Sequence, residues 1–262
     1  MVQPQRSRQS RGSNRDAHPR RLRGRRARAR TGSALTSPCV VAHRGAWGAG
    51  VPENSLAAFE RAIALGADGI ELDVRRTRDR ELVLFHDAEL AGAPVATLTR
   101  SEIEDRAGVL PPLLDEALEL ARGRIALDVE LKEDGYVDEL ADLLSGFAAG
   151  GGDLIVTSFV DHVLAQLSEL TPQLVRGLIV SGSAELAPAR AHACGATVVL
   201  PDVELVDDAS LAELSGAGLT VIVWDFMASE HAALLSDERI GGVISDDVPG
   251  ALAARAASRP RS

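Results

Sequence analysis

From Pro38 onward the chain repeats one pattern, a short aliphatic run followed by an Ala/Leu/Glu-rich stretch. Runs that read as strands are Cys39–His43, Gly69–Val74, Leu82–His86, Ile125–Leu131, Asp153–Ser158, Leu174–Val180, Thr197–Leu200, Leu219–Trp224 and Gly242–Ser245. Between most of them lie helix-like stretches: Ser55–Leu65, Leu113–Ala121, Val137–Phe147, Asp161–Leu170, Ala184–Ala193, Ala209–Ala217 and Ser229–Leu235. Strands that are almost continuously apolar are buried on both faces, as in a parallel sheet. Such alternation over 225 residues predicts an α/β fold, a (β/α)8 TIM-type barrel. A doubly wound open sheet is the alternative, but no Gly-rich phosphate loop follows the first strand. One interval is irregular. Only Arg75 to Glu81 separate the second and third runs, and a parallel crossover needs a dozen or more residues. Either one barrel unit lacks its helix or two of these runs form a hairpin.

Composition narrows the class. Aromatic residues make up 3%, so aliphatic side chains fill the core, a poor composition for an all-β sandwich. No apolar run approaches the roughly 20 residues of a membrane span. Cys39 and Cys194 provide neither a disulfide framework nor metal-ligand spacing, which suits a reducing compartment and a cytoplasmic location. Charge divides the chain in two. Residues 1–37 hold eleven Arg and one acid, whereas the remainder holds 17 basic and 37 acidic side chains. The first segment has almost no apolar residues and is expected to be a disordered Arg-rich tail, with residues 38–258 as the barrel domain. It lacks the apolar core of a secretory signal. Weak contact with anionic surfaces, nucleic acid or an anionic membrane, is the functional reading of the tail, and a dispensable extension is the bland one. The acidic body is not expected to bind nucleic acid, and nothing in the sequence sets an oligomeric state.

Charge inside buried strands demands a reason. Glu71 and Asp73 interrupt the second run two residues apart and therefore face the same side. Asp128, Glu130 and Lys132 repeat the device. His43 and Arg44 end the first run, and His86 and Asp87 end the third. In a (β/α)8 barrel the carboxyl ends of the strands meet at one face, where chemistry is placed. Clustered carboxylates repel unless neutralised. A hard cation bound through oxygen, Mg²⁺ or Ca²⁺, would neutralise Glu71, Asp73 and Glu130; salt bridges to strand-end Arg or Lys would do so equally well. Asp128 faces the same way as Glu130 and is expected deeper, or paired with Lys132. Lys132 is the only lysine against 27 arginines, which suggests a position suited to a compact ammonium. Two imidazoles with near-neutral pKa are a natural general acid and base. A cation, two basic side chains and two imidazoles together describe phosphodiester cleavage.

Val-Ala-His43-Arg44-Gly45, Pro52-Glu53-Asn54-Ser55 with Phe59, Gly66-Ala67-Asp68-Gly69-Ile70-Glu71-Leu72-Asp73-Val74 and Phe85-His86-Asp87 closely resemble the glycerophosphodiester phosphodiesterase family. The resemblance continues through Leu113-Leu114-Asp115-Glu116, Val129-Glu130-Leu131-Lys132 and Thr157-Ser158-Phe159 to Gly242-Val243-Ile244-Ser245-Asp246. It implies a phospholipase-C-like barrel and metal-dependent hydrolysis of glycerophosphodiesters, small-molecule substrates, to glycerol 3-phosphate and an alcohol. It further implies His43 and His86 as the acid/base pair, Glu71, Asp73 and Glu130 around one divalent cation, and Arg44 and Lys132 on the phosphate. Glu53 and Asn54 would position their loop, with Asn54 also the expected cap of the first helix. Trp224 would line the substrate pocket or pack at the barrel rim, and Trp47 would contact substrate or cover its loop. The chain departs from the family after His86-Asp87, where Leu90-Ala91-Gly92-Ala93-Pro94 replaces Leu-x-Arg-Thr-Thr and the following insertion is reduced. Near the end, Val223-Trp224-Asp225-Phe226 replaces Trp-Thr-Val-Asn. A more open or differently shaped pocket is expected. Two other readings stay open: lysophospholipase D-type head-group cleavage, and a catalytically silent binding module recruited by the basic tail.

Overall fold

A computed structural model describes residues 38–258. In chain order its elements are β1 (Cys39–Ala42), α1 (Leu56–Leu65), β2 (Gly69–Arg76), β3 (Leu82–Leu84), β4 (Glu89–Leu90), β5 (Ala93–Pro94), α2 (Arg100–Ala107), α3 (Leu114–Ala121) and β6 (Ala126–Leu131). There follow α4 (Val137–Ala149), β7 (Leu154–Ser158), α5 (Asp161–Leu170), β8 (Val175–Val180), α6 (Ala187–Ala193), β9 (Val198–Pro201), α7 (Asp208–Gly216), β10 (Thr220–Val223), α8 (Ala228–His231), β11 (Ile240–Ser245) and α9 (Val248–Ser258). The expectations for residues 1–37 fall outside the described residues.

Eight strands, β1, β2 and β6 to β11, pair in parallel, and β1 meets both β2 and β11, so the sheet closes into a barrel. β3 is not part of the ring. It runs antiparallel to β2, with Val74 opposite Leu84, after a tight turn in which the Thr77 N–H donates to the Glu81 carbonyl at 3.0 Å. The short interval from Arg75 to Glu81 is therefore a hairpin. The crossover to β6 is made later, through the β4–β5 hairpin, α2 and α3.

Alternation along each strand divides the apolar residues between two cores. On β2 and β6, Ile70, Leu72, Val74, Leu127, Val129 and Leu131 face outward and pack with Phe59 of α1, Leu114 of α3 and Leu140, Leu144 and Phe147 of α4. Val199, Val221, Val223 and Val243 do the same beneath the later helices. Inside the barrel, Val41, Ile179, Val198, Leu200 and Ile244 pack together. Gly177 makes that interior possible, because a Cβ there would lie 2.5 Å from Leu200 Cδ1 and 2.9 Å from Thr157 Cγ2. Each buried aliphatic side chain contributes about 1.5–3 kcal/mol.

Helix ends follow local chemistry. Ser55, not Asn54, caps α1, its hydroxyl accepting from the Ala58 N–H at 3.1 Å, and Gly66 ends it at φ 85°. Asn54 is drawn elsewhere. Two helices carry no apolar periodicity to predict them. In α2 only Ile103 is buried and a Thr99–Glu102 capping box starts it; α9 carries Pro249 and Gly250 in its first turn, which reads locally as a break. Among the described residues no helix is long and apolar enough to cross a membrane.

Candidate active site

The inner wall of the barrel is polar on one side and aliphatic on the other. Register creates the polar side, since Glu71 lies opposite Asp128 and Asp73 opposite Glu130 on adjacent strands. Four buried carboxylates thus stand in two rungs. Oxygen atoms of Glu71, Asp73 and Glu130 lie within 4.8 Å of one another. Two cations answer part of this charge. Lys132 Nζ is 3.1 Å from Asp73 Oδ1 and 2.8 Å from Glu130 Oε1, and Arg44 Nε is 3.3 Å from Asp73 Oδ2. The two alternatives raised by the sequence, ion pairing and a cation-ready trio, overlap at Asp73 and Glu130.

Glu71 has no such partner. Its Oε2 accepts the Arg44 backbone N–H at 2.8 Å, but its buried Oε1 accepts nothing. Asp73 Oδ1 and Glu130 Oε1 share a single donor, the Lys132 ammonium. Buried acceptors left without donors are costly. One such acceptor on Glu71, converging with the Asp73 and Glu130 carboxylates where two cations serve four acids, is a donor set that fits a hard divalent ion.

The same imbalance sets the protonation. Burial, then Asp73, Glu130 and Asp128, pushes the Glu71 carboxyl well above its ordinary range. Burial also raises Glu130, with Lys132 opposing. Asp73 goes the other way: burial works against its charge, but Lys132, the Asn54 amide and Arg44 outweigh it and hold the carboxyl below the usual range. Asp128 sits one rung deeper and does not pair with Lys132. It accepts the Thr157 hydroxyl at 2.6 Å, and burial pushes it up to about 7.

Asn54 belongs to this site. Its amide donates to Asp73 Oδ2 at 2.7 Å and its carbonyl accepts the Asp73 N–H at 3.1 Å. Asn54 at φ 50° and Arg44 at φ 54° both occupy the left-handed region, so the loop between β1 and α1 is folded sharply over the strand ends. Glu53 holds Arg44 through Nη1, with both oxygens at 3.0 Å. Both residues position the loop as expected, and Asn54 also orients a carboxylate.

Each strand-end histidine is held through Nδ1. His43 Nδ1 is 2.7 Å from Asp246 Oδ1, which also accepts the Trp47 indole N–H at 3.2 Å. Partial burial opposes ionisation of Asp246, but the His43 and Trp47 contacts hold its pKa below the usual range. An ionised carboxylate only accepts, so His43 Nδ1 donates to it and leaves Nε2, 4.0 Å from Glu71 Oε2, as the ring nitrogen that faces the carboxylates. His86 Nδ1 is 2.8 Å from Asp87 Oδ1, and Arg75 Nε and Nη2 donate to the His86 carbonyl at 2.9 and 2.8 Å. Asp246 stands 203 residues from His43, and sequence reasoning gave it no role. Its place at the end of the last barrel strand is the signal that could have found it.

His43, Arg44, Glu71, His86, Glu130 and Lys132 line one wall of a cavity of about 250 Å³; Phe159, Ile179, Leu200, Trp224 and Ile244 line the other. Trp224 both packs at the rim and lines the cavity. Its indole N–H donates to the carbonyls of Leu200 and Val180 at 3.0 and 3.3 Å, anchoring it to the rim, while its ring lines the cavity edge-on to Phe159, with centroids 5.9 Å apart. Trp47 instead braces Asp246.

The model of the Glycerophosphoryl diester phosphodiesterase family matches residues 43–249. YhdW of Bacillus subtilis (strain 168), which bears a provisional name for this activity, is 28% identical over 229 residues, covering 79% of this chain and 93% of YhdW. Among solved structures, the glycerophosphodiester phosphodiesterase of Thermotoga maritima is 26% identical with a TM-score of 0.67, covering 85% of this chain and 99% of its own. A phosphodiesterase of Oleispira antarctica, solved with the product sn-glycerol-3-phosphate, shares the fold at a TM-score of 0.72 and 23% identity, covering 83% of this chain and 96% of its own. With the family pattern running through nearly every strand of the barrel, the chain belongs to the glycerophosphoryl diester phosphodiesterase family.

Proposed function

We propose that the protein hydrolyses glycerophosphodiesters to glycerol 3-phosphate and an alcohol, with Glu71, Asp73 and Glu130 holding one divalent cation and His43 and His86 exchanging protons. The observation that carries this reading is the convergence of three buried carboxylates, with Glu71 Oε1 unpartnered and only Lys132 and Arg44 as cations among four acids, beside two imidazoles, each tied through Nδ1. Oxygen-only ligation suits Mg²⁺ or Ca²⁺. Such a cation, when bound, offsets charge on a non-bridging phosphate oxygen.

The remaining work falls to side chains. Lys132 and Arg44 are the cations on the polar wall and bind the other phosphate oxygens. The Asp246 contact keeps His43 Nε2 free on the cavity side, and Asp87 fixes the His86 ring in the same manner. One imidazole removes a proton from the attacking oxygen as it bonds to phosphorus, that of water or that of the neighbouring glycerol hydroxyl, in which case water opens the resulting cyclic phosphate in a second step. The other imidazole delivers a proton to the alkoxide as the ester P–O bond breaks. The aliphatic wall excludes bulk water, which strengthens every charge interaction at the phosphate.

The test is hydrolysis of glycerophosphocholine and glycerophosphoethanolamine with Mg²⁺, Ca²⁺ or EDTA. Release of glycerol 3-phosphate is expected with metal and not with chelator, and His43→Ala is expected to abolish it while the protein stays folded. Undiminished turnover by His43→Ala, or in EDTA, would overturn the assignment.

A further inference from the structure

His86 is the one proposed acid/base residue that no barrel strand carries. It follows β3, which is three residues long and lies outside the ring of parallel strands. β2 makes this arrangement possible by running on past its last pair with β6, Val74 with Leu131, so that Arg75 and Arg76 pair with β3 alone. From that overhang the chain turns back, and the Phe85 N–H donates to the Asp73 carbonyl at 3.0 Å. There the ladder ends. Among the described residues, no backbone N–H from His86 to Ala88 donates to another protein group.

The bond between His86 Nδ1 and Asp87 Oδ1 does not anchor this segment. Asp87 is the next residue and travels with the same loop, and its side chain is 72% exposed, where a charge pair stabilises by about 1 kcal/mol at most. That contact sets the ring relative to the loop, not the loop relative to the barrel.

Arg75 supplies the missing link. Two residues beyond Asp73, it stands on the same face of β2, and its side chain is only 7% exposed. Nε and Nη2 both donate to the His86 carbonyl, at 2.9 and 2.8 Å, while Nη1 donates to Glu133, just past the end of β6. One edge of the planar guanidinium thus grips the loop, and the other is tied to a neighbouring barrel strand. Burying a charged side chain is costly. Here two of its donors converge on a single main-chain carbonyl, that of the residue whose ring must be placed. Arg75 itself does not line the carboxylate cavity, so it bears on the reaction through what it holds.

We infer that Arg75 is a positioning residue for His86, fixing the imidazole relative to the phosphate through the carbonyl of the same residue, with Glu133 holding the guanidinium in place. The inference rests on the catalytic role proposed above for His86.

The test compares glycerophosphocholine hydrolysis by Arg75→Ala, Arg75→Lys, His86→Ala and the double variant Arg75→Ala/His86→Ala, with folding followed by thermal unfolding. Arg75→Ala is expected to lower kcat about 10–100-fold, the scale of a displaced catalytic group, while KM and the cation concentration for half-maximal activity stay within about twofold. Arg75→Lys restores the charge and one donor of the fork and should recover part of that loss. In the His86→Ala background no imidazole is left to place, so Arg75→Ala should cost less than about threefold more. The same fold-loss with and without His86 is the mark of general destabilisation and overturns the inference. So does an unchanged kcat, or a raised cation requirement, which would make Asp73 the group that Arg75 serves. If Arg75→Ala does not fold, Arg75→Lys and its combination with His86→Ala decide by the same comparison. Wild-type turnover by His86→Ala, or an inactive wild type, overturns the catalytic reading, and this inference with it.

Discussion

Asn54 and Asp73 clasp each other through two hydrogen bonds, amide to carboxylate at 2.7 Å and backbone N–H to carbonyl at 3.1 Å. A loop residue thereby sets the orientation of a carboxylate in the middle of a barrel strand. Asn54→Gly keeps the left-handed backbone available while deleting the amide. It should raise the cation concentration needed for half-maximal activity by about 10–100-fold, the usual effect of removing a group that orients a ligand. Unchanged cation dependence in an activity titration would show that Asp73 holds its orientation alone.

Lys132 tests whether its position needs an ammonium. The side chain lies between Asp73 and Glu130 at 3.1 and 2.8 Å, where a planar guanidinium would have to displace one of them. Lys132→Met should lower kcat by about 10²–10³-fold, and Lys132→Arg should not restore it. Wild-type rates from the Arg variant would mean that charge alone suffices.

Asp246 holds His43 in one tautomer. With Asp246→Asn the amide can donate as well as accept, so the ring is no longer fixed with its free nitrogen toward the cavity. A fall in kcat of about 10–100-fold with little change in KM is expected. Trp47→Phe removes only the second hydrogen bond to Asp246 and should cost less than tenfold. Equal losses from both variants would mean that Asp246 acts as loop scaffold.

Asp128 predicts a pH dependence of stability. Its folded pKa of about 7 lies above the ordinary carboxyl value, so between roughly pH 4 and 7 the native state binds more protons than the unfolded chain. The stability it contributes is present below that window and is lost as pH rises through 7. In EDTA, denaturant unfolding of the wild type should weaken from pH 5 to pH 8, and Asp128→Asn should flatten that fall by a few kcal/mol. Parallel curves for the two proteins would contradict the buried, uncompensated carboxyl.

Much of the barrel was legible because its signals are local. Every strand-like run became a strand, and α5 begins and ends where its pattern does. The trio of Glu71, Asp73 and Glu130 was readable because two-residue spacing fixes the facing on a strand, whatever surrounds it. What escaped depends on distant partners. The choice between a missing helix and a hairpin turned on how β2 and β3 pair, which spacing alone does not determine. Asn54 looked like a cap because it precedes a helix, but a carboxylate 19 residues away competes for its amide and Ser55 is free to cap instead. Asp128 shares the facing of Lys132, yet its rung is deeper and its neighbour there is Thr157. The tie from His43 to Asp246 exists only because the ring of strands closes.

The β1–β2 edge has a consequence for how activity arises. β1 pairs with β2 only through Val41 with Gly69 and Ala42 with Ile70, whereas six consecutive residues join β2 to β6. His43 belongs to one side of this short seam and Glu71 to the other. A partly assembled sheet can hold its acids and its outer helices in place while the seam gapes, and such a molecule has no reaction centre. Turnover during refolding should therefore lag behind the recovery of helical circular dichroism, timing the moment the cylinder shuts.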